Sequence, residues 1–298
     1  NLENCNILKF KKSEYFRILN EFTNQEFKII QKKRDIKYHM IFLFAKADIN
    51  KKNFNFFNNN WNYLDELKNT KIFYKNVDIS INDENKIISV RQIKRDGKIL
   101  FLGGKLGNWN INFEGIANVD NKDILDNYDI SNNYTGCLSF YEVEFVSTNI
   151  KSINSDCEDS VNIVRSRGKI NKILINNSAS DALDVDFSHL SINNVTVNSA
   201  LNDCVDFSSG NYNLGKLYLQ KCGDKALSVG EKSFVQIDEI NAKNSIIGIA
   251  SKDSSIVNLE KGNFENLKFC LSAYKKKQEF NGGFITIKNL NCKNYYQK

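Results

Sequence analysis

The 298-residue chain contains no proline and only two histidines, His39 and His189. Without proline, no residue of the chain lacks the backbone N–H that a β-sheet ladder requires. Two isolated histidines argue against a histidine-centred catalytic triad, and we interpret His189 as a surface residue. The chemistry of this chain must therefore be sought among other side chains.

The sequence also lacks long hydrophobic runs and CxxC motifs. The longest candidate apolar run covers residues 40–45, far short of the roughly 20 residues that span a membrane, so we predict no membrane span. The seven cysteines include no CxxC pair, which excludes a zinc site of the usual spacing. We expect buried free thiols, because cysteine behaves as a small apolar residue in a core.

An excess of positive charge is present but small. Lys and Arg number 41 against 35 Asp and Glu, a formal net charge of +6. The basic runs, such as residues 275–277, lack the interleaved aromatics of a nucleic-acid-binding stripe. We therefore predict no nucleic-acid partner.

The strongest pattern is a repeat of apolar residues in the second half of the chain. Within each repeat the apolar residues alternate with polar ones, as at Val195 and Val197 and at Leu217 and Leu219, which indicates strands and not helices. Strands that recur at this period pair in parallel with their equivalents in the next coil. The sequence predicts an all-β parallel β-helix with about 22 residues per coil, and its length allows nine or ten coils. The main apolar column recurs at a step of 22 residues through Val161, Leu183, Val205, Leu227, Ile249 and Leu271.

Two interruptions of the period predict local insertions. From Leu227 onward the later apolar columns slip by one residue, to Ile237, Ile240 and Ala242, which indicates one extra residue in a corner. A longer insertion falls on residues 274–283, which we expect to loop out of the stack.

The chain divides into an N-terminal region, residues 1–70, and a parallel β-helix, residues 71–298, with regular coils over about residues 136–294. Residues 13–33 have apolar side chains at helical spacing, and a helix there would cap the end of the stack. Residues 118–134 are polar, and we expect this segment to leave the stack of coils before the regular coils begin. Because the chain begins with Asn1 and not with methionine, we expect a processed form or a fragment.

Candidate chemistry comes from polar residues beside the main apolar column. Asp181, Asp203 and Lys225 share one register position, and Asp184 and Asp206 share another. Successive coils lie about 4.8 Å apart, so these carboxylates should stack on one face. Stacked like charges repel unless a proton, a cation or a ligand intervenes.

Several uses of this cluster remain open. Carboxylates about 5 Å apart suit a retaining glycosidase, and wider pairs suit an inverting one. Alternatively, the carboxylates could hold Ca²⁺ against a uronate, with Lys225 as the base. A purely structural alternative is that these aspartates accept hydrogen bonds from backbone N–H groups at the corners of the coils. The candidate catalytic residues are Asp184, Asp206, Asp203 and Lys225; the candidate substrate-binding residues are Asp181, Glu231, Lys252, Tyr274 and Lys275; and the candidate Ca²⁺ ligands are Asp181, Asp184, Asp203 and Asp206.

The coil sequences SDALDVD (residues 180–186), CGDKALSVGEKS (residues 222–233), IGIASKDS (residues 247–254) and LSAYKKKQEF (residues 271–280) resemble a known group. They look like bacterial right-handed parallel β-helix repeat proteins of the pectate-lyase-like superfamily, over about residues 136–294. The resemblance implies a right-handed coil and action on, or binding to, an acidic polysaccharide. It also favours a secreted or cell-surface location.

The chain departs from that superfamily's best-known signatures. It has no polygalacturonase-type Asn-Thr-Asp motif and no Arg-Ile-Lys triplet, so no residue role is transferred one for one. We expect a lyase, epimerase or hydrolase of an acidic polysaccharide, with Ca²⁺ or no cofactor. The alternatives are a non-catalytic glycan-binding or structural surface β-helix and the scaffold part of a larger enzyme. The oligomeric state cannot be read from the sequence.

Overall fold

The computed structural model describes residues 61–67, 69–116 and 134–293, and these residues form 18 β-strands and no helix. They belong to one compact unit that begins at Trp61. The predicted helix in residues 13–33 and most of the predicted excursion lie outside the described residues. The strands are β1 (Asn62–Leu67), β2 (Thr70–Lys75), β3 (Val77–Asn82), β4 (Ile87–Gln92), β5 (Lys98–Leu102), β6 (Lys105–Gly107), β7 (Asn110–Glu114), β8 (Gly136–Tyr141), β9 (Glu144–Ser155), β10 (Asp159–Val164), β11 (Arg167–Ser178), β12 (Asp181–Asp186), β13 (His189–Ala200), β14 (Val205–Ser208), β15 (Asn211–Gly230), β16 (Phe234–Lys252), β17 (Ile256–Tyr274) and β18 (Phe284–Lys293).

Parallel pairing between equivalent strands of successive coils confirms the predicted parallel β-helix. Asp159 pairs with Asp181, and Leu183 pairs with Val205, each at the predicted step of 22 residues. The solenoid has about eight coils, fewer than the nine or ten that the length allows. Antiparallel pairing occurs only near the start of the described stack, where β1 pairs with β2, β2 with β5, and β3 with β4.

Each coil runs along three stacked sets of strand segments. The first set contains β5, β8, β10, β12, β14 and the C-terminal parts of β15 to β17. We call the outer side of this first set the aspartate face. The other two sets come from the longer strands, such as β11 and β13, whose two ends lie on different sides of the coil. The inward side chains of all three sets form one continuous core, in which Leu183, Val205 and Leu227 are fully buried.

Residues with left-handed backbone conformation turn the chain at recurring corners. One corner uses Asn154, Asn177, Ser199, Lys221 and Asn244, with φ from 55° to 82°. Asparagine tolerates this conformation better than most residues, because its short polar side chain bonds locally. Corner chemistry therefore recurs with the same period as the core.

Both predicted insertions are present. Asn211 pairs with Phe234, a step of 23 residues, because the corner before β16 contains two left-handed residues, Glu231 and Lys232. The equivalent corner one coil earlier has one such residue, Ser209. The longer insertion lies between the end of β17 and the start of β18, where the chain leaves the stack and the backbone N–H of Gly283 donates to the carbonyl of Tyr274 at 3.1 Å.

The prediction of buried free thiols is wrong for six of the seven cysteines. Three disulfides link Cys137 to Cys157, Cys204 to Cys222, and Cys270 to Cys292. Partners that lie 18 to 22 residues apart in sequence meet because one turn of the solenoid brings them side by side. Cys5 lies outside the described residues. No helix in the described ranges is long and apolar enough to cross a membrane.

Candidate functional site

The aspartate face carries three outer columns of side chains that alternate with the buried inward columns. The first column runs through Asp159, Asp181, Asp203, Lys225, Ile247 and Phe269. The second column runs through Ser139, Asn162, Asp184, Asp206, Ser228 and Ala250. The third column includes Tyr141, Val164, Asp186 and Ser208, and later Lys252 and Tyr274. The structure therefore brings together the predicted aspartates and two of the three predicted lysines, Lys225 and Lys252.

Two aspartates of the first column bind the backbone of the next coil. Asp181 Oδ1 accepts from the backbone N–H of Asp203 at 2.8 Å and from Nδ2 of Asn202 at 2.7 Å. Asp203 Oδ1 accepts from the backbone N–H of Lys225 at 2.9 Å. These carboxylates satisfy N–H groups that strand pairing leaves open, as the corner-capping alternative predicted.

Lys225, which follows Asp203 in the first column, is a cation paired with two carboxylates. Its Nζ contacts Asp203 Oδ1 at 3.3 Å and also donates to Asp224. Burial lowers the pKa of Lys225, but the two carboxylates outweigh it and hold the pKa above its usual value. A lysine in this state keeps its proton, which is the opposite of what a general base requires.

The second column contains polar atoms with no partner. Asn162 Nδ2 donates to Asp184 Oδ2 at 3.0 Å. By contrast, Asn162 Oδ1, Asp206 Oδ1 and Ser228 Oγ are buried without a hydrogen-bond partner. Asn162 is 2% exposed and Ser228 fully buried. Since buried polar atoms are nearly always satisfied by protein or by ordered water, three unpartnered oxygens in one column call for bound water or another small polar ligand there.

Lys252 reaches the second column from two coils away. Its Nζ lies 3.6 Å from Asp206 Oδ2, and its side chain is 8% exposed. The route passes Gly230, where an added Cβ would lie 3.0 Å from Lys252 Cε. The absence of a side chain at Gly230 thus leaves room for Lys252 to compensate the charge of Asp206.

Burial and mutual repulsion favour the protonated form of several carboxyls on this face. Burial, and then Asp186 and Asp159 as like charges, raise the pKa of Asp184 well above its usual value. Burial raises the pKa of Asp181 to about 6 and, with help from Asp206, that of Asp186 to about 7. Burial likewise raises the pKa of Asp159 well above normal. Burial also raises the pKa of Asp203, although Lys225 acts against it, so the carboxyl groups of this face differ in how strongly they hold a proton.

The predicted substrate-binding residues Tyr274, Lys275 and Glu231 lie at the C-terminal end of this face. Tyr274 follows Lys252 in the third column and opens the inserted loop, while Lys275 is exposed. Buried Asp253 anchors the loop, since its Oδ1 accepts from the backbone N–H groups of Lys276 and Lys277 at 2.8 and 2.7 Å. Glu231 pairs with the Lys277 side chain and holds the loop against the preceding coil.

The described residues contain one group of three metal-ligating side chains whose donor atoms lie within 4.8 Å of one another. That group is Cys137, Asp156 and Cys157, and both cysteines are consumed by a disulfide. The four aspartates predicted as Ca²⁺ ligands do not form such a group. A cation on this face would need neutral oxygens as well, and Asn162 Oδ1 and Ser228 Oγ, which lie three coils apart, could not both bind the same ion.

Sequence reasoning did not assign site roles to Asn162, Ser228, Asp186 or Asp253. Asn162 and Ser228 occupy the same 22-residue column as Asp184 and Asp206, so the repeat was a sufficient signal for them. Asp186 could have been found by the alternation of β12, because it lies two residues after Asp184. The role of Asp253 depends on the path of the inserted loop, which no periodic pattern encodes.

Comparisons with protein-family models, curated proteins and solved structures find no match to this chain. The evidence for the parallel β-helix is the pairing of its strands. No match supports the resemblance of the coil sequences to the pectate-lyase-like superfamily.

Proposed function

We propose that this protein is a carbohydrate-active β-helix that binds an acidic polysaccharide along the aspartate face and cleaves it with Asp184 and Asp206. The observation that carries the proposal is the second column, where these two carboxyl groups are register neighbours and unsatisfied oxygens flank them. The resemblance of the coil sequences to pectate-lyase-like proteins supports the same substrate class.

Different environments suit the two residues to different roles. Asp184 has a raised pKa and donates its proton to the leaving oxygen as the general acid. Asp206 lies beside Lys252, and its side chain is 22% exposed, so its carboxylate is placed to act as the nucleophile. Neighbouring strands lie about 4.8 Å apart, which is close to the carboxyl separation of about 5–5.5 Å in retaining glycosidases. We therefore propose hydrolysis with retention: Asp206 forms a glycosyl ester as Asp184 protonates the leaving oxygen, and a water molecule that Asp184 deprotonates then cleaves this ester.

Lyase chemistry with Lys225 as the base has less support. Asp203 and Asp224 hold Lys225 in its charged form, so abstraction of a proton would first require loss of that pairing. We propose that Lys225 positions Asp203 and neutralises its charge.

Calcium remains part of the proposal for an acidic substrate. A face with so many carboxyls repels a uronate unless protons or a cation intervene. A Ca²⁺ ion on this face could be shared only by neighbouring coils, such as those of Asp184 and Asp206, because successive coils lie about 4.8 Å apart. It would require Asp184 to be ionised, so it belongs to the lyase alternative and not to the retaining hydrolysis. In this arrangement Ca²⁺ would bridge the protein and the substrate carboxylate.

The three disulfides support a location outside the reducing cytosol. Structural disulfides persist in oxidising compartments and are rare in cytosolic proteins. We propose a secreted or cell-surface protein, in agreement with a polysaccharide substrate.

A non-catalytic β-helix is the second candidate. It is favoured by the carboxylates of Asp181 and Asp203, which bond the backbone of the next coil and act as structural caps. In such a protein the aspartate face would bind a glycan or simply hold the coils together.

Turnover of a panel of acidic polysaccharides, with Ca²⁺ or with a chelator, separates these functions. New reducing ends without ultraviolet-absorbing unsaturated products support hydrolysis, and unsaturated products support a lyase. Asp184→Asn and Asp206→Asn should each lower turnover by roughly 10²-fold or more, the usual effect of removing a general acid or base. Asp238→Asn, at an exposed position in β16, is the matched control and should have no effect. No turnover of any polysaccharide, or full turnover by both variants, would contradict the catalytic proposal.

A further inference from the structure

A stripe of exposed apolar side chains lies on the stack that follows the aspartate face around the coil. Phe234, Ile256 and Phe284 occupy the same register position in three successive coils. They are 37%, 41% and 64% exposed, which is unusual for large apolar residues in a regular sheet. We call these three residues the apolar stripe.

The backbone holds the stripe in a fixed arrangement. The N–H groups of Phe234, Ile256 and Phe284 donate to carbonyl oxygens of the preceding coils at 2.8, 2.9 and 2.8 Å. The side chains between them in the chain, such as Val235 and Val257, are fully buried. The stripe is therefore a rigid part of the scaffold, and its spacing is set by the coil repeat.

A column of hydrogen-bonding side chains runs parallel to the stripe, two residues further along each strand. Gln236, Asn258 and Thr286 are register neighbours in this column, and Gln236 and Thr286 are exposed. Apolar faces beside amide and hydroxyl groups match a sugar ring, which presents C–H groups on its face and hydroxyls at its edge.

Positive charge lies close to one side of the stripe. Exposed Lys232 precedes Phe234 by two residues, and its Nζ lies 5.6 Å from the centre of the Phe280 ring in the inserted loop. Lys275 and Lys276 of the same loop are also exposed. These lysines complement the carboxylates of an acidic glycan, whereas a neutral glycan would gain nothing from them.

We propose that the apolar stripe is a second, non-catalytic binding site for an acidic polysaccharide that runs along the solenoid axis. Phe234 and Phe284 are two coils apart, or about 9.6 Å at about 4.8 Å per coil, a distance that accommodates two rings of an extended glycan chain. The stripe is one side chain wide, and stable protein interfaces bury well over about 1,000 Å² in total, so a glycan fits it better than a second protein. The proposal rests on the proposed function only for the class of glycan.

Affinity electrophoresis through gels that contain polygalacturonate, alginate or hyaluronan tests this site directly. The wild-type protein should be retarded by at least one of the three. Phe234→Ala/Phe284→Ala should weaken that binding roughly tenfold, the effect of losing about 1.4 kcal/mol of contact energy. Phe234→Trp should preserve it, because a larger aromatic face still stacks on a sugar ring.

Two controls separate the stripe from the aspartate face. Tyr218→Ala removes an aromatic residue that is 44% exposed on another side of the solenoid and should leave binding unchanged. In the Asp206→Asn background, where turnover is lost, Phe234→Ala/Phe284→Ala should weaken binding by the same factor as in the wild-type protein. If turnover is absent but binding depends on Phe234 and Phe284, the stripe stands and the catalytic proposal fails.

Other outcomes would overturn the proposal. Wild-type binding by the double Phe variant, or no retardation of the wild-type protein by any of the three polysaccharides, excludes the stripe as a glycan site. If sedimentation velocity shows a dimer that Phe284→Ala converts to a monomer, the stripe contacts a second copy of the chain and not a glycan.

Discussion

At the scale of single residues, the aspartate face separates carboxylates that hold coils together from those that are available for chemistry. Asp181 and Asp203 bond backbone N–H groups of the next coil, while Asp206 retains a buried oxygen without a partner. Residues that look equivalent in the repeat therefore have different roles. The first column lies beside the corners, where a carboxylate reaches a backbone N–H group, and the second column does not.

The pairing of Lys225 predicts a structural cost for its removal. Lys225→Met should lower the free energy of unfolding by about 2–4 kcal/mol, because it leaves the buried carboxylate of Asp203 without its cation. Lys243→Met, which breaks an exposed pair with Glu265, should cost less than about 1 kcal/mol. Urea unfolding of both variants measures the difference. Equal costs would contradict a buried, structural Lys225.

Asp186 predicts an unusual dependence of stability on pH. The folded protein raises the pKa of Asp186 to about 7, from an ordinary value near 4 in the unfolded chain. Between these values the folded protein holds a proton that the unfolded chain has released. Its contribution to stability is therefore complete below about pH 4 and is lost as the pH rises to about 7.

Asp186→Asn should remove this effect. The variant should be more stable than the wild-type protein at pH 8, by up to about 4 kcal/mol, and nearly equal to it at pH 4. Thermal unfolding across this pH range provides the measurement, with Asp238→Asn as the exposed control. A wild-type protein that loses no stability relative to Asp186→Asn between pH 4 and pH 7 would refute the assignment.

The sequence predicts which residues stack but not how far their side chains reach. The 22-residue period was enough to place Asp184 beside Asp206 and Asp181 beside Asp203. It could not show that Lys252 extends over two coils to Asp206, because that path depends on the missing side chain at Gly230. The repeat gives the coil and column of each residue, but it does not show which other column a long side chain such as that of Lys252 contacts.

At the scale of strands and corners, the apolar alternation predicted the regular parallel coils but not the antiparallel pairing of β1 to β5. It predicted the parallel pairing, the extra residue before β16 and the loop between β17 and β18. It did not predict the disulfides, since the partners come from different positions of the coil and share no column. Cys137 lies in β8, whereas its partner Cys157 lies between β9 and β10, at the corner that leads into the equivalent strand of the next coil.

The left-handed backbone conformation at the corners restricts which side chains these positions tolerate. Lys221 has φ 56° at a corner where several other coils use asparagine. Lys221→Val should lower the free energy of unfolding by about 1–2 kcal/mol, because a β-branched residue fits this conformation poorly. Lys216→Val, at an exposed position within β15, should be neutral or slightly stabilising. A loss at Lys221 no larger than at Lys216 would show that the corner does not require its left-handed residue.

At the scale of the whole molecule, a solenoid is stabilised mainly by contacts between neighbouring coils. β12 pairs with β10 on one side and with β14 on the other. Within the described part of the chain, β18 pairs with β17 alone, and Leu290 on this strand is 49% exposed. Local stability should therefore decrease toward β18.

Amide hydrogen exchange measured by mass spectrometry tests this gradient and the part that the last disulfide has in it. Peptides from β18 should exchange faster than peptides from β12, because within the described residues β18 pairs with one neighbouring strand and β12 pairs with two. Cys270→Ser/Cys292→Ser removes the link between β17 and β18, a loop closure worth about 3 kcal/mol in the unfolded-state account. Exchange in β18 should then accelerate further while β12 is unchanged, since each coil contacts only its neighbours. Equal acceleration in both strands would show that the solenoid opens as one cooperative unit, and unchanged exchange in β18 would show that the disulfide does not hold the last coil in place.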